Sequence, residues 1–100
     1  MGLDQSLCQE GPPNLLDPFD TNDIQLDYWR KDWDLQSYVG CENCEKFYLT
    51  EAYCNKLLAD LPIIYSEPDD APLLEYTERA FTKALSLLKS GERIYYVPWW

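Results

Sequence analysis

Between Pro72 and Gly91 the apolar residues return at helical spacing. Leu74, Thr77, Phe81, Ala84, Leu85 and Leu88 fall on one face. Pro72 fits a first helical turn, Lys89 suits the last, and Gly91 stands just past it. This is the clearest amphipathic stretch in the sequence, and it constrains the rest. A helix with one apolar face must lay that face on a second layer. Arg93 to Val97 then reads as a strand that Pro98 halts, inside the aromatic ending IYYVPWW. A one-sided helix feeding a strand implies that the second layer is a sheet.

The remaining pieces fit that plan. Leu3 to Cys8 alternates, with Leu3 and Leu7 opposed to Asp4, Ser6 and Cys8, as in a short strand. Residues 9–22 place Gly11, Pro12, Pro13 and Pro18 among acids and read as a Pro/Gly-rich acidic loop. A helix is expected from a cap near Thr21 to Asp23 as far as Gly40. Ile24, Tyr28, Leu35 and Val39 would form one stripe, and Leu26, Trp29 and Trp33 the next. Cys41 to Lys46 reads as a turn and Phe47 to Leu49 as a brief extension. Thr50 caps a helix over Glu51 to about Asp60, which Pro62 stops. Ile63 to Tyr65 reads as a buried strand, and SEPDDAP as an acidic turn in which Asp69 or Asp70 caps the next helix. The expected fold is a single α+β domain over residues 1–100, with about three helices on one face of a three- to four-stranded sheet. A chain this short has a thin core. Aromatic residues, 15% of the chain, supply the bulk that its few Val and Ile do not.

Charge narrows the function classes. Asp and Glu number 18 against 8 Lys and Arg, with no His and a formal net charge of −10. No Lys or Arg precedes Arg30, whereas Asp4, Glu10, Asp17, Asp20, Asp23 and Asp27 do. Nucleic acid and anionic membranes both attract positive charge, so direct binding to either is disfavoured. No apolar stretch approaches a membrane span, and no signal-peptide pattern opens the sequence. A protein with a basic surface is the favoured partner; the same acidity also serves solubility.

Catalytic patterns are missing. There is no His to act as base, and neither a GxGxxG nor a GKS/T run to cradle phosphate. The expectation is a non-enzyme without a cofactor. Cys8, Cys41, Cys44 and Cys54 read as reduced thiols. CENC is a single C-x2-C pair followed by Cys54, so the fourth ligand of a zinc site would have to be Cys8 or a carboxylate. A small zinc-binding or structural module is thus the alternative reading. Cys54, on the apolar face of its helix, equally reads as a small buried hydrophobe. For partner contact the candidates are Trp29, Arg30 and Trp33 of YWRKDW, the acids Asp17, Asp20, Asp27, Glu67, Asp69 and Asp70, and Trp100. Trp29 and Trp33 stand four apart and would pack together on a helix, and Trp99 or Trp100 would cover the core.

Several of these motifs recur in order elsewhere. MGLD at Met1 to Asp4, YWRK at Tyr28 to Lys31, ENC at Glu42 to Cys44, the LP of Leu61 and Pro62 with a following aromatic, and the YY and W of the ending are the matching residues. In this the sequence resembles a family of small tailed-phage and prophage proteins that open with MGLDMYL. It departs in a shorter stretch between MGLD and YWRK, and in SLC where the family has MYL. The family has no established activity, so the resemblance implies context: a phage gene and a bacterial cytoplasm. Of the cysteines only Cys44 matches its pattern. The expected function is that of a small acidic phage-type protein that binds and inhibits a host protein. Its sharper form is an anti-defence factor (anti-CRISPR or anti-restriction) or a DNA mimic, acting on a nucleic-acid-processing or defence complex.

Overall fold

The computed structural model describes residues 2–12, 15–16 and 22–100. In chain order they form β1 (Asp4–Gln9), β2 (Ile24–Arg30), α1 (Trp33–Val39), β3 (Phe47–Tyr48), α2 (Glu51–Ile64), a 3-10 turn at Pro68–Asp70, α3 (Ala71–Lys89) and β4 (Ile94–Trp99). The strands make one antiparallel sheet in the order β2-β1-β4-β3. The fold is α+β, with three helices and a four-stranded sheet. The aromatic ending is therefore a central strand. Period-two alternation sorts the sheet into two faces. Gln5 and Leu7 of β1, Trp29 of β2, and Ile94, Tyr96 and Pro98 of β4 face the helices. There they meet Leu35, Leu57, Leu61, Phe81 and Ala84. The expected apolar face of α3 is the one buried.

Four expectations need correction. The helix over 21–40 is a strand, a turn and a short helix. Ile24, Leu26, Tyr28 and Trp29 suit a half-buried strand as well as a helical stripe, and pairing with β1 decides between them. Lys31, at φ 59, turns the chain sharply after β2. The α1 cap is then Asp32, whose Oδ1 accepts the Leu35 amide at 3.1 Å. Second, Pro62 lies inside α2. It forfeits one helical bond, but it is exposed, while buried Leu61 and Tyr65 hold the last turn in place. Ile63 to Tyr65 thus closes a helix and adds no strand, and Ile63 is exposed. Third, β4 runs through Pro98. The Pro98 carbonyl accepts the Cys44 amide at 2.8 Å, on the edge away from β1. A strand residue points its nitrogen and oxygen to the same side, so the absent N–H takes nothing from the β1 ladder. Finally, Asp70 stands at the α3 N-cap, yet its side chain makes no capping bond there.

The core also encloses a polar network. Gln5, fully buried, donates its amide to the Asp32 carbonyl (2.9 Å) and to the Tyr96 hydroxyl (2.8 Å), and accepts the Asp32 N–H (2.9 Å). Tyr96 donates to Gln36, which donates to the Cys41 carbonyl, both at 2.7 Å. A second branch runs from the Trp29 indole to Thr77 and on to Tyr65, both steps at 3.0 Å. Tyr65 gives its proton to Asp32 Oδ2 at 2.5 Å, so Thr77 supplies the proton between the two hydroxyls. The network ties β1, β2, α1, α2, α3 and β4 to one another, and a mispositioned element would leave buried polar groups unpaired.

Candidate functional site

Among the described residues, no helix covers the second face of the sheet. Its residues follow from the register. Asp4 lies between Arg30 and Trp99, Ser6 between Tyr28 and Val97, and Cys8 between Gln25 and Tyr95. A bulge in β2 makes Leu26 the extra residue between Gln25 and Asp27.

One end of this face is covered by the chain's own side chains. Tyr95 is buried beneath the Tyr48 ring, at 5.5 Å between centroids, and the Lys46 ammonium, at 4.9 Å. Its hydroxyl donates to Asp23. Burial first, and that bond next, push the Tyr95 hydroxyl far above the usual tyrosine range. Lys46 reaches Asp23 at 3.8 Å, and Arg93 reaches Glu10 at 3.2 Å while lying over the Tyr48 ring. The cations at this end are thus engaged internally.

The other end is open. Asp4, Ser6, Tyr28, Val97, Trp99 and Cys44 line a groove of about 530 Å³, inside the range of natural ligand pockets. Trp99 is 66% exposed and Tyr28 is 41% exposed. Tyr28 donates its hydroxyl to Asp4 Oδ1, and that bond raises the tyrosine's proton affinity. At the same end of the sheet, half-exposed Trp33 and the half-buried Trp100 ring lie 6.2 Å apart. The Trp100 amide donates to Asn43 at 2.9 Å.

The candidates picked from sequence are scattered by this arrangement. Trp29 is 3% exposed and packs on Phe81 and Tyr76, so it presents nothing to a partner. It does not stack on Trp33, because Trp29 sits in β2 and Trp33 opens α1 beyond the turn at Lys31. Arg30 and Trp33 are exposed near the groove. Asp27 is half-buried on the helix side of β2, where it lines a recess with Arg79 and Lys83. Glu67, Asp69 and Asp70 occupy the α2–α3 connection, and Asp70 is near enough to Asp32 to raise its proton affinity. Asp17 and Asp20 lie outside the described residues. Trp99 covers no core, whereas Trp100 is partly covered against Trp33. The groove residues Asp4, Ser6, Val97 and Trp99 are not among the partner contacts picked from sequence, where Trp99 reads as core cover. Their signal was the alternation of β1 and of the last strand, but only the pairing register sets the two beside each other.

The zinc alternative loses its ligand set. Among the described residues no group of three or more His, Cys, Asp or Glu could hold a metal ion. Cys8 is buried in β1, Cys54 in α2 and Cys41 beside α1, while Cys44 is exposed. Burial raises the Cys8 and Cys41 thiols and pushes Cys54 up to about 11. One thiol per chain, Cys44, should therefore react promptly with Ellman's reagent in the native protein, and the other three only after denaturation. Two or more prompt thiols would contradict this burial pattern. No protein-family model, curated protein or solved structure matches the chain. Among the described residues no helix is long and apolar enough to cross a membrane.

Proposed function

We propose that the chain is a non-catalytic, phage-type interaction protein that binds a basic surface of a host protein through the open face of its sheet and inhibits that protein. The observation that supports this is the open groove, where exposed Trp99 and Tyr28 stand around Asp4 on a chain of net charge −10. Large rings on a rigid sheet give contact area at little entropic cost. A charge this negative steers a basic partner toward it. The ordered motifs shared with the MGLDMYL phage proteins favour a bacterial host and an anti-defence role, against a CRISPR or restriction complex. In the DNA-mimic form, surface carboxylates stand in for phosphates. That form needs a partner whose nucleic-acid site is basic.

The test is capture from bacterial lysate on immobilised protein at about 0.05 M and about 0.5 M salt, followed by assay of the captured partner. The expected result is a salt-sensitive partner whose activity falls as the protein is added to equivalence. Capture indifferent to salt would sink charge-led binding. A partner that stays fully active when saturated would sink inhibition.

A further inference from the structure

We propose that the open groove takes an arginine side chain of the partner, with Asp4 pairing the guanidinium and Trp99 and Tyr28 flanking it. The proposal rests on the interaction reading above and names what that surface holds. β2 and β4 flank β1 at about 4.8 Å each, so side chains rising from them stand roughly 9–10 Å apart. Tyr28 rises from β2, and Val97 and Trp99 rise from β4. Between them β1 offers only Asp4 and Ser6, two short side chains, as a floor. The result is an aromatic-walled trough with one carboxylate at its base.

Each property selects a guanidinium. An apolar occupant would strip water from Asp4 without replacing its hydrogen bonds, which is unfavourable. An anion would meet Asp4 directly. A cation gains from the two flanking aromatic side chains and from the carboxylate. Asp4 accepts one proton from Tyr28, and a carboxylate has further lone pairs for incoming donors. The planar guanidinium stacks on rings and presents a fork that a compact ammonium lacks. Lys46 and Arg93 are engaged with Asp23 and Glu10 at the far end of this face. Arg30 remains, cross-strand from Asp4 and exposed; among the described residues it makes no ion pair. Arg30 is therefore a competitor that an incoming arginine must displace from the field of Asp4.

The probe is the capped tripeptide acetyl-Gly-Arg-Gly-amide, titrated at low salt and followed by the Trp99 indole signal in NMR spectra. Counterparts carry citrulline, which keeps the shape without the charge, or lysine. The arginine peptide should bind saturably, the citrulline peptide about tenfold more weakly and the lysine peptide about threefold more weakly. Asp4→Asn and Trp99→Ala should each weaken the arginine peptide by about three- to fivefold, and Arg30→Gln should tighten it by about twofold. Trp99 is largely exposed and Asn keeps the shape of Asp4, so melting temperature reports whether each variant remains folded. Equal binding of the citrulline peptide, or an unchanged affinity in folded Asp4→Asn, overturns the proposal. If the arginine peptide fails to bind while lysate capture survives in Asp4→Asn and Trp99→Ala, the groove assignment falls and the interaction reading stands. If the peptide binds with the expected pattern and no partner is captured, the groove assignment stands and the interaction reading falls.

Discussion

Without residues 94–100 the chain will show no cooperative thermal transition and no dispersed amide spectrum. β4 is central, paired with β1 on one edge and β3 on the other. Its loss leaves β3 without a partner and exposes one whole edge of β1. Ile94 and Tyr96 are fully buried and Tyr95 nearly so. Burying each such side chain is worth about 1.5–3 kcal/mol, and the unpaired ladder groups of β1 add to the loss. The sum reaches the whole stability expected of a small domain, about 5–15 kcal/mol. Tyr96 also joins Gln5 to Gln36, so one branch of the buried network goes with the strand. Removing only Trp99 and Trp100 should act very differently. Trp99 is 66% exposed, and Trp100 loses chiefly its contact with Trp33 and its bond to Asn43. That shorter deletion should cost about 1–2 kcal/mol, lowering Tm by roughly 5–15 °C with the cooperative transition kept. Thermal melts of the two truncations check the pair. A folded longer truncation would mean that the sheet does not depend on its last strand.

The parts legible in the sequence are those where one pattern has no rival. The face of α3 recurs over about four turns between a proline and a glycine, and Thr77, Phe81 and Ala84 are buried as that pattern requires. β1 alternates cleanly, and Thr50 caps α2 as expected, its hydroxyl accepting the Tyr53 amide at 3.1 Å. β2 reads as helix because Ile24 with Tyr28, and Trp29 with Trp33, satisfy helical spacing at the same time as a strand pattern. What resolves it is β1, about twenty residues away, whose free edge needs a partner; no local window contains that information. The same holds for the groove. Asp4 and Trp99 are at opposite ends of the chain, and only antiparallel pairing of β1 with β4 makes them neighbours. Trp29 shows the converse: its aromatic-plus-Arg setting resembles a contact site, yet its indole is a network donor inside the core.

Tyr65→Phe removes one oxygen and should lower stability by about 2–3 kcal/mol, with a fall in Tm of roughly 10–20 °C. The hydroxyl is the link between Thr77 and Asp32. Without it Asp32 Oδ2 loses its donor and the Thr77 proton loses its acceptor, both in the interior. The loss should also depend on pH. Burial raises the Asp32 carboxyl above its usual range, and the bonds from Tyr65 and the Leu35 amide pull it partly back. Because the folded value lies above the unfolded one, near 4, Asp32 contributes stability that is fully present below about pH 4. That contribution is lost as pH rises through the folded value. A phenyl ring has no proton with which to pull the carboxyl down, so in the variant Asp32 rises further and its charged form is harder to bury. The gap in Tm between the two proteins should therefore narrow at about pH 4.5 and be widest at about pH 7.5. In an Asp32→Asn background, where nothing titrates at this site, the Tyr65→Phe gap should be the same at both values. A gap in the parent protein that ignores pH would mean that Tyr65 is not bonded to a carboxylate whose charge matters.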